Sequence, residues 1–262
     1  MPDADGKRLI DVIREYEEHN YQATQALIGD TSNLTELVSS LYDMFPLGFK
    51  ESKLPPDDRY IAPILFALAC QYELVSAALS ASRGHLSGAF QATRRAIESC
   101  AFGRRVGIHP HLALVWLKAA DSDDAYKTYQ EKFSGEGKLF PADDPLMTKL
   151  YERYDYASKQ IHSSIYSFAQ RIEKIEDDKT VNLNYQYFEI NSGDISEPVR
   201  TLLWVWDTHF GIVKVFANVL ADVLKPIKKP WRIRVDSVDT ALACHKNKWR
   251  NVVLSSENNA ST

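Results

Sequence analysis

LSGAFQATRRAIESCAFGRRV, residues 86–106, decides how the chain is to be read. Leu86, Ala89, Phe90, Thr93, Ile97, Cys100 and Ala101 recur at i, i+3, i+4 and i+7, the period of an amphipathic helix with one face in a core. The run before it, Tyr60 to Ser82, has the apolar density of a central helix, and Pro63 is tolerated in its first turn. Only the turn SRGH separates the two, so they are expected to pack antiparallel at the heart of the fold.

Working outward, a first helix is expected from Lys7 to Ile28, stopped by Gly29. Ser32 or Asn33 can cap a second, carrying Leu34, Leu37, Val38, Leu41 and Phe45. The prolines, glycine and charges of PLGFKESKLPPDD, residues 46–58, read as a linker. Downstream, Pro110 starts a short helix, and Ser122 with Asp123 and Asp124 starts another through Phe133. SGEGKLFPADD reads as a loop, and Asp144 before Pro145 opens a helix reaching Gln160. KTVNLNYQYFEI alternates Val181, Leu183, Tyr185 and Tyr187, a strand pattern, with RIEKI as hairpin partner. A long helix follows from Ser196 to Leu224, stopped by Pro226, and the tail SSENNAST reads as disordered. The expectation is a mainly α protein: an antiparallel helical bundle with a small β-hairpin near residues 170–190. It divides into a helical hairpin over 1–50, a main bundle over 57–225, and a basic extension with a disordered tail over 226–262.

Composition narrows the class. A chain of 262 residues buries enough surface to fold without staples. Its three cysteines, Cys70, Cys100 and Cys244, are far apart and odd in number, which suggests a reducing compartment and buried free thiols. The start MPDADGKRLI is acidic and lacks the apolar core of a secretory signal. Both of the most apolar runs carry polar interruptions, Gln71 and Glu73 in one and Asp207, His209 and Lys214 in the other, so they read as buried helices rather than membrane spans. A cytoplasmic protein is expected. The net charge of −4 is unevenly spread: Lys225 to Arg250 holds eight Lys or Arg against Asp236 and Asp239.

Spacing excludes several chemistries. There is no E-x-x-H element, H-E-x-x-H, phosphate-binding glycine loop, dinucleotide fingerprint or nucleophile elbow. DSDDAYKTYQEK follows a calcium loop for four residues, then places Tyr126 where the turn requires Gly and Lys132 where the loop requires Glu. No metal site or cofactor is implied. What remains is the Arg-rich helix and the histidines. Arg94, Glu98, Ala101 and Arg105 form one i, i+4 line at the edge of the apolar face. Arg before Glu is the poorer order for an isolated pair, which points to a further partner on another helix. His162 sits beside two serines at a helix end, where it can interact with the last carbonyls or act as a base. His109 and His111 flank Pro110 and suit capping at the surface. His209, between Trp206 and Phe210, suits a satisfied core histidine.

GAFQATRRAIESCAFGRRV, the Trp of LALVWLKAAD, and LYERYDYASKQIHSSIYSF together resemble a bacterial group of helical proteins related to the HEPN superfamily. The similarity covers roughly residues 60–225 and rests on Arg94 or Arg95, Glu98, Trp116 and His162. The resemblance implies a helical bundle, often dimeric, and in active members a metal-independent ribonuclease of toxin or phage-defence type. That superfamily's hallmark, an Arg and a His separated by four to six residues, is met in count by Arg104 and His109, while Arg105, Gly107 and Pro110 depart from its context. Cleavage of RNA by its own 2′-OH needs a base, which neutral His supplies, and a fixed cation, which Arg supplies as a planar fork. Two geometries offer this: Arg94 and Glu98 with His162, which is preferred, or Arg104 with His109. Three readings follow: a HEPN-like helical protein, dimeric and binding or defence-associated; a ribonuclease toxin; or a module that binds RNA or protein through Lys228, Lys229, Arg232 and Arg234. A homodimer and RNA are the expected partners, and a membrane is not.

Overall fold

The computed structural model describes Arg14, Glu18 and residues 34–51, 58–161, 172–176, 181–185 and 196–259. The protein is mainly helical. Of the helix expected over Lys7 to Ile28, all but Arg14 and Glu18, both helical, lies outside the described residues, as do His162, Ser163 and Ser164.

Helix α1 covers residues 34–51. It is followed by α2 (Asp58–Ser82), α3 (Leu86–Ile108), α4 (His111–Leu117), α5 (Asp123–Phe133), α6 (Glu136–Leu139) and α7 (Pro145–Ile161). Two short strands, β1 (Ile172–Glu176) and β2 (Val181–Tyr185), pair antiparallel with Ile172 opposite Tyr185. Then come α8 (Ser196–Val219), α9 (Ala221–Leu224), a 3-10 turn (Lys225–Ile227) and α10 (Lys228–Asn259).

The α2–α3 turn is set by Gly84, whose φ of 77° lies in the left-handed region that favours glycine. There the His85 N–H donates to the Ser80 carbonyl at 2.8 Å and the Gly84 N–H to the Ala81 carbonyl at 3.1 Å, a Schellman closure of α2. The two helices then run antiparallel over their whole length. Arg95 forks onto Glu73 at 2.8 Å, the Cys70 thiol donates to the Ala96 carbonyl at 3.2 Å, and Phe66 stacks on Phe102 at 6.1 Å. Helix α7 runs against α3 in the opposite sense, as its contacts Asp144 with Arg104 and Tyr154 with Arg94 require. Helix α8 packs on α3 where α3 has no side chain in the way: a Cβ at Gly103 would lie 2.7 Å from the Phe216 ring, and one at Gly107 would lie 2.1 Å from Val219.

Several differences from the sequence reading follow from packing between segments distant in sequence; besides them, Glu136–Leu139 form a single helical turn, α6, within SGEGKLFPADD, read as a loop. Residues 46–51, expected as the start of a linker, continue α1 through Pro46. Gly48 there lies against α9, where a Cβ would meet the Val223 carbonyl at 2.9 Å, and this packing outweighs the hydrogen bond that Pro46 cannot donate. The stretch expected as a basic extension with a disordered tail is helical from Lys228 to Asn259. Trp231, Val238 and Leu242 of α10 are buried in the same cluster as Leu34, Val38 and Phe45 of α1 and the inner faces of α2, α3 and α8. Side chains from all three expected units therefore share one core. The long helix read to Leu224 instead breaks after Val219, and the short α9 and 3-10 turn bring the chain round into α10.

Candidate functional site

The Arg94–Glu98 pair forms at 3.2 Å, and the further partner lies on α7. Arg94 Nη2 donates to the Tyr154 hydroxyl at 2.9 Å, and the guanidinium carbon sits 5.0 Å from the centre of the Tyr154 ring. This hydrogen bond, opposed by burial and helped by Glu98, pushes the Arg94 pKa above its ordinary value. Among the described residues its buried Nε has no hydrogen-bond partner. His162, the third member of the preferred geometry, lies outside the described residues.

In the alternative geometry, Arg104 is engaged by an acid and His109 is exposed. Arg104 is held by Asp144, Nε to Oδ2 at 2.9 Å and Nη2 to Oδ2 at 2.8 Å. The other oxygen of Asp144 accepts from the Leu146 and Met147 N–H groups at 3.0 and 3.2 Å, so one carboxylate both caps α7 and ties it to α3. Among the described residues no hydrogen bond joins Arg104 to His109, whose exposed ring faces His111 with ring centres 6.1 Å apart. Arg105 is likewise structural: it donates to the Lys132 and Lys138 carbonyls at 3.1 and 3.2 Å, near the C-terminal ends of α5 and α6.

His209 is fully buried, with Nδ1 3.3 Å from the Tyr42 hydroxyl and Nε2 without a partner among the described residues. Burial lowers its pKa from 6.5 to about 3, so the ring is neutral at physiological pH. A neutral, enclosed imidazole fits a packing role.

A different site emerges where α7, α8 and α10 meet. Here Lys149, Arg153, Lys214 and Lys246 stand around Asp207 and Asp239 at a cleft of about 340 Å³. Asp207 is its centre. Arg153 pairs with one oxygen of Asp207 and also donates to the Thr208 hydroxyl at 2.7 Å and the Trp204 carbonyl at 3.3 Å. Lys246 reaches the other Asp207 oxygen from α10 at 2.8 Å. Burial acts to raise the Asp207 pKa, but the Lys246 hydrogen bond and the charges of Arg153, Lys246 and Lys149 outweigh it and hold the carboxyl below its ordinary value. Lys214 pairs with Asp239 at 3.3 Å, and its ammonium lies 4.0 Å from the centre of the Phe210 ring. Lys149 is exposed and has no ion-pair partner among the described residues. Four cations therefore face two carboxylates, above an apolar wall of Leu146, Leu150, Phe210 and Leu242. The sequence reading used Asp207 and Lys214 only as interruptions of an apolar helix. Their spacing of seven, on the same face as Gly211, was the signal that they look into one cleft.

The four basic residues expected to bind polyanions, Lys228, Lys229, Arg232 and Arg234, are all exposed at the start of α10. None makes a hydrogen bond or ion pair among the described residues. A helix N-terminus disfavours cations, so Lys228 and Lys229 gain nothing from their position. No group of three or more metal-ligating side chains occurs among the described residues. Comparison with protein-family models, with curated proteins and with solved structures gave no match.

Proposed function

We propose that this protein is a helical binding protein of HEPN-like bundle architecture, acting without catalysis on its ligand, and that the ligand is an anion with an apolar body held in the cleft between α7, α8 and α10. The observation that carries this reading is the excess of two positive charges around a ligand-sized cleft with an apolar wall. Arg153 and Lys246 are already fixed by Asp207, so they meet an anion preorganised, and Lys149 remains to close on it. A phosphate monoester or carboxylate headgroup would sit among the cations, with its organic part against Leu146, Leu150 and Phe210.

A titration with phosphate monoesters of increasing apolar size, read by thermal shift, tests it. Saturable stabilisation that grows with apolar size, is not reproduced by sodium chloride at equal ionic strength, and weakens ~10-fold in Lys149→Ala is the expected result, since a charge-assisted contact contributes about 1.5–3 kcal/mol. Stabilisation by chloride alone would sink the reading.

The ribonuclease reading rests on the Arg94–Glu98 pair on α3 together with His162. Cleavage of RNA in EDTA, leaving a 2′,3′-cyclic phosphate and lost in His162→Ala, would replace the binding reading with it. Retention of RNA at low salt, lost when Lys228, Lys229, Arg232 and Arg234 become Gln, would favour the basic segment as the binding surface instead.

A further inference from the structure

Helix α2 is apolar on two opposite faces. Its inner face, from Ala62 through Phe66, Cys70 and Leu74 to Ala81, is buried in the core. On the outer face Ile61, Leu65, Leu68, Tyr72, Val75 and Leu79 are between 38 and 70% exposed. Their spacing is four, three, four, three, four. That is an unbroken heptad seam, the period that keeps a stripe facing one partner helix instead of drifting around the cylinder. The flanking positions Ala69, Ser76 and Ala78 are small and Gln71 is uncharged, which allows close approach. Glu73 supplies the one charge between Tyr60 and Ser82, and both of its oxygens are held by Arg95. A partner helix on this seam would desolvate no free charge.

We infer that this face is where a second copy of the chain docks, α2 against α2 in antiparallel sense about a two-fold axis near Cys70. The seam reads the same in both directions. Ile61 then meets the other copy's Leu79, Leu65 meets Val75, and Leu68 meets Tyr72, which gives the alternating layers of an antiparallel coiled coil from a single self-complementary patch. Six half-exposed side chains bury roughly 600 Å² per copy and ~1,200 Å² in the pair, at the threshold of a specific, stable interface. The same helix, Tyr60–Ser82, is long and apolar enough to cross a membrane by length and composition. Its packing argues for protein instead of lipid, because the inner face lies against α3 and α8 along its length and could meet lipid only if the core opened. The inference stands independently of the anion-binding cleft, which α7, α8 and α10 build elsewhere.

Sedimentation velocity of the full chain across a concentration series, with and without liposomes, decides the matter. The expected result is a reversible dimer for the wild type and, for Leu68→Glu, a dissociation constant ~100-fold weaker, because the substitution desolvates a carboxylate on each side of the axis. Leu68→Glu combined with Tyr72→Lys in one chain should restore the dimer, since each introduced acid faces the other copy's introduced base. Both positions are exposed, and an unchanged circular dichroism spectrum verifies folding of the variants. A wild type that stays monomeric at high concentration, a dimer indifferent to Leu68→Glu, a double variant that stays monomeric, or a monomer that floats with liposomes would each overturn the inference.

Discussion

His209 carries the sharpest residue-level consequence. Its folded pKa is lowered by burial to about 3, whereas the unfolded chain has an ordinary imidazole at 6.5. Between those values the unfolded chain binds a proton that the folded one refuses. Stability is therefore complete above 6.5 and falls as the pH drops toward 3, by ~1.4 kcal/mol per pH unit for one such group. Urea denaturation at pH 7 and pH 5 should show a loss of roughly 2 kcal/mol in the wild type that His209→Leu largely removes. The test is the difference in slope, because the substitution also leaves the Tyr42 hydroxyl without its imidazole. Asp207 acts in a separate, more acidic window. Its folded pKa lies below the ordinary 3.8, so its contribution is present above that value and lost as the pH falls through the folded one.

At the scale of elements, the contact between α3 and α8 depends on what α3 lacks. Gly103 faces the ring of the fully buried Phe216 and the Cβ of Phe66, which cannot move without its own helix. Gly103→Ala should cost about 1–3 kcal/mol by overpacking, although alanine has the higher helix propensity, and the urea midpoint measures it. The same two helices show how much the sequence carries. The α2–α3 pair was legible because its helical periodicity and the SRGH turn are local signals. The starts of α5 and α7 were legible for the same reason: the Ser122 hydroxyl accepts from the Ala125 N–H at 3.2 Å, and Asp144 caps α7. The continuation of α1 past Pro46 and the docking of α10 were not, since both depend on contacts with segments far away in sequence. The site divides likewise. Arg94 and Glu98 pair within one helix and could be read from spacing, while Arg153, Asp207 and Lys246 meet only after three helices have packed.

For the molecule as a whole, a core drawn from α1 through α10 leaves its thiols in two classes. Cys70 and Cys100 are buried, and burial pushes both thiols up, in Cys70 helped by the neighbouring Cys100 and Glu73. Cys244 is exposed on α10. Ellman's reagent should titrate Cys244 at once in the native protein and the other two only as urea unfolds it; rapid reaction of all three would contradict a shared core. Long-range closure also has a cost in time. The contacts Tyr42 with His209 and Phe45 with Trp231 span most of the chain, so the first waits for α8 and the second for α10. During synthesis the α2–α3 hairpin emerges early with apolar residues on both faces of α2. At roughly 5–20 residues per second it waits on the order of ten seconds for α8 to cover one of them. For that interval the nascent hairpin presents apolar surface of the kind that aggregates or is held by chaperones.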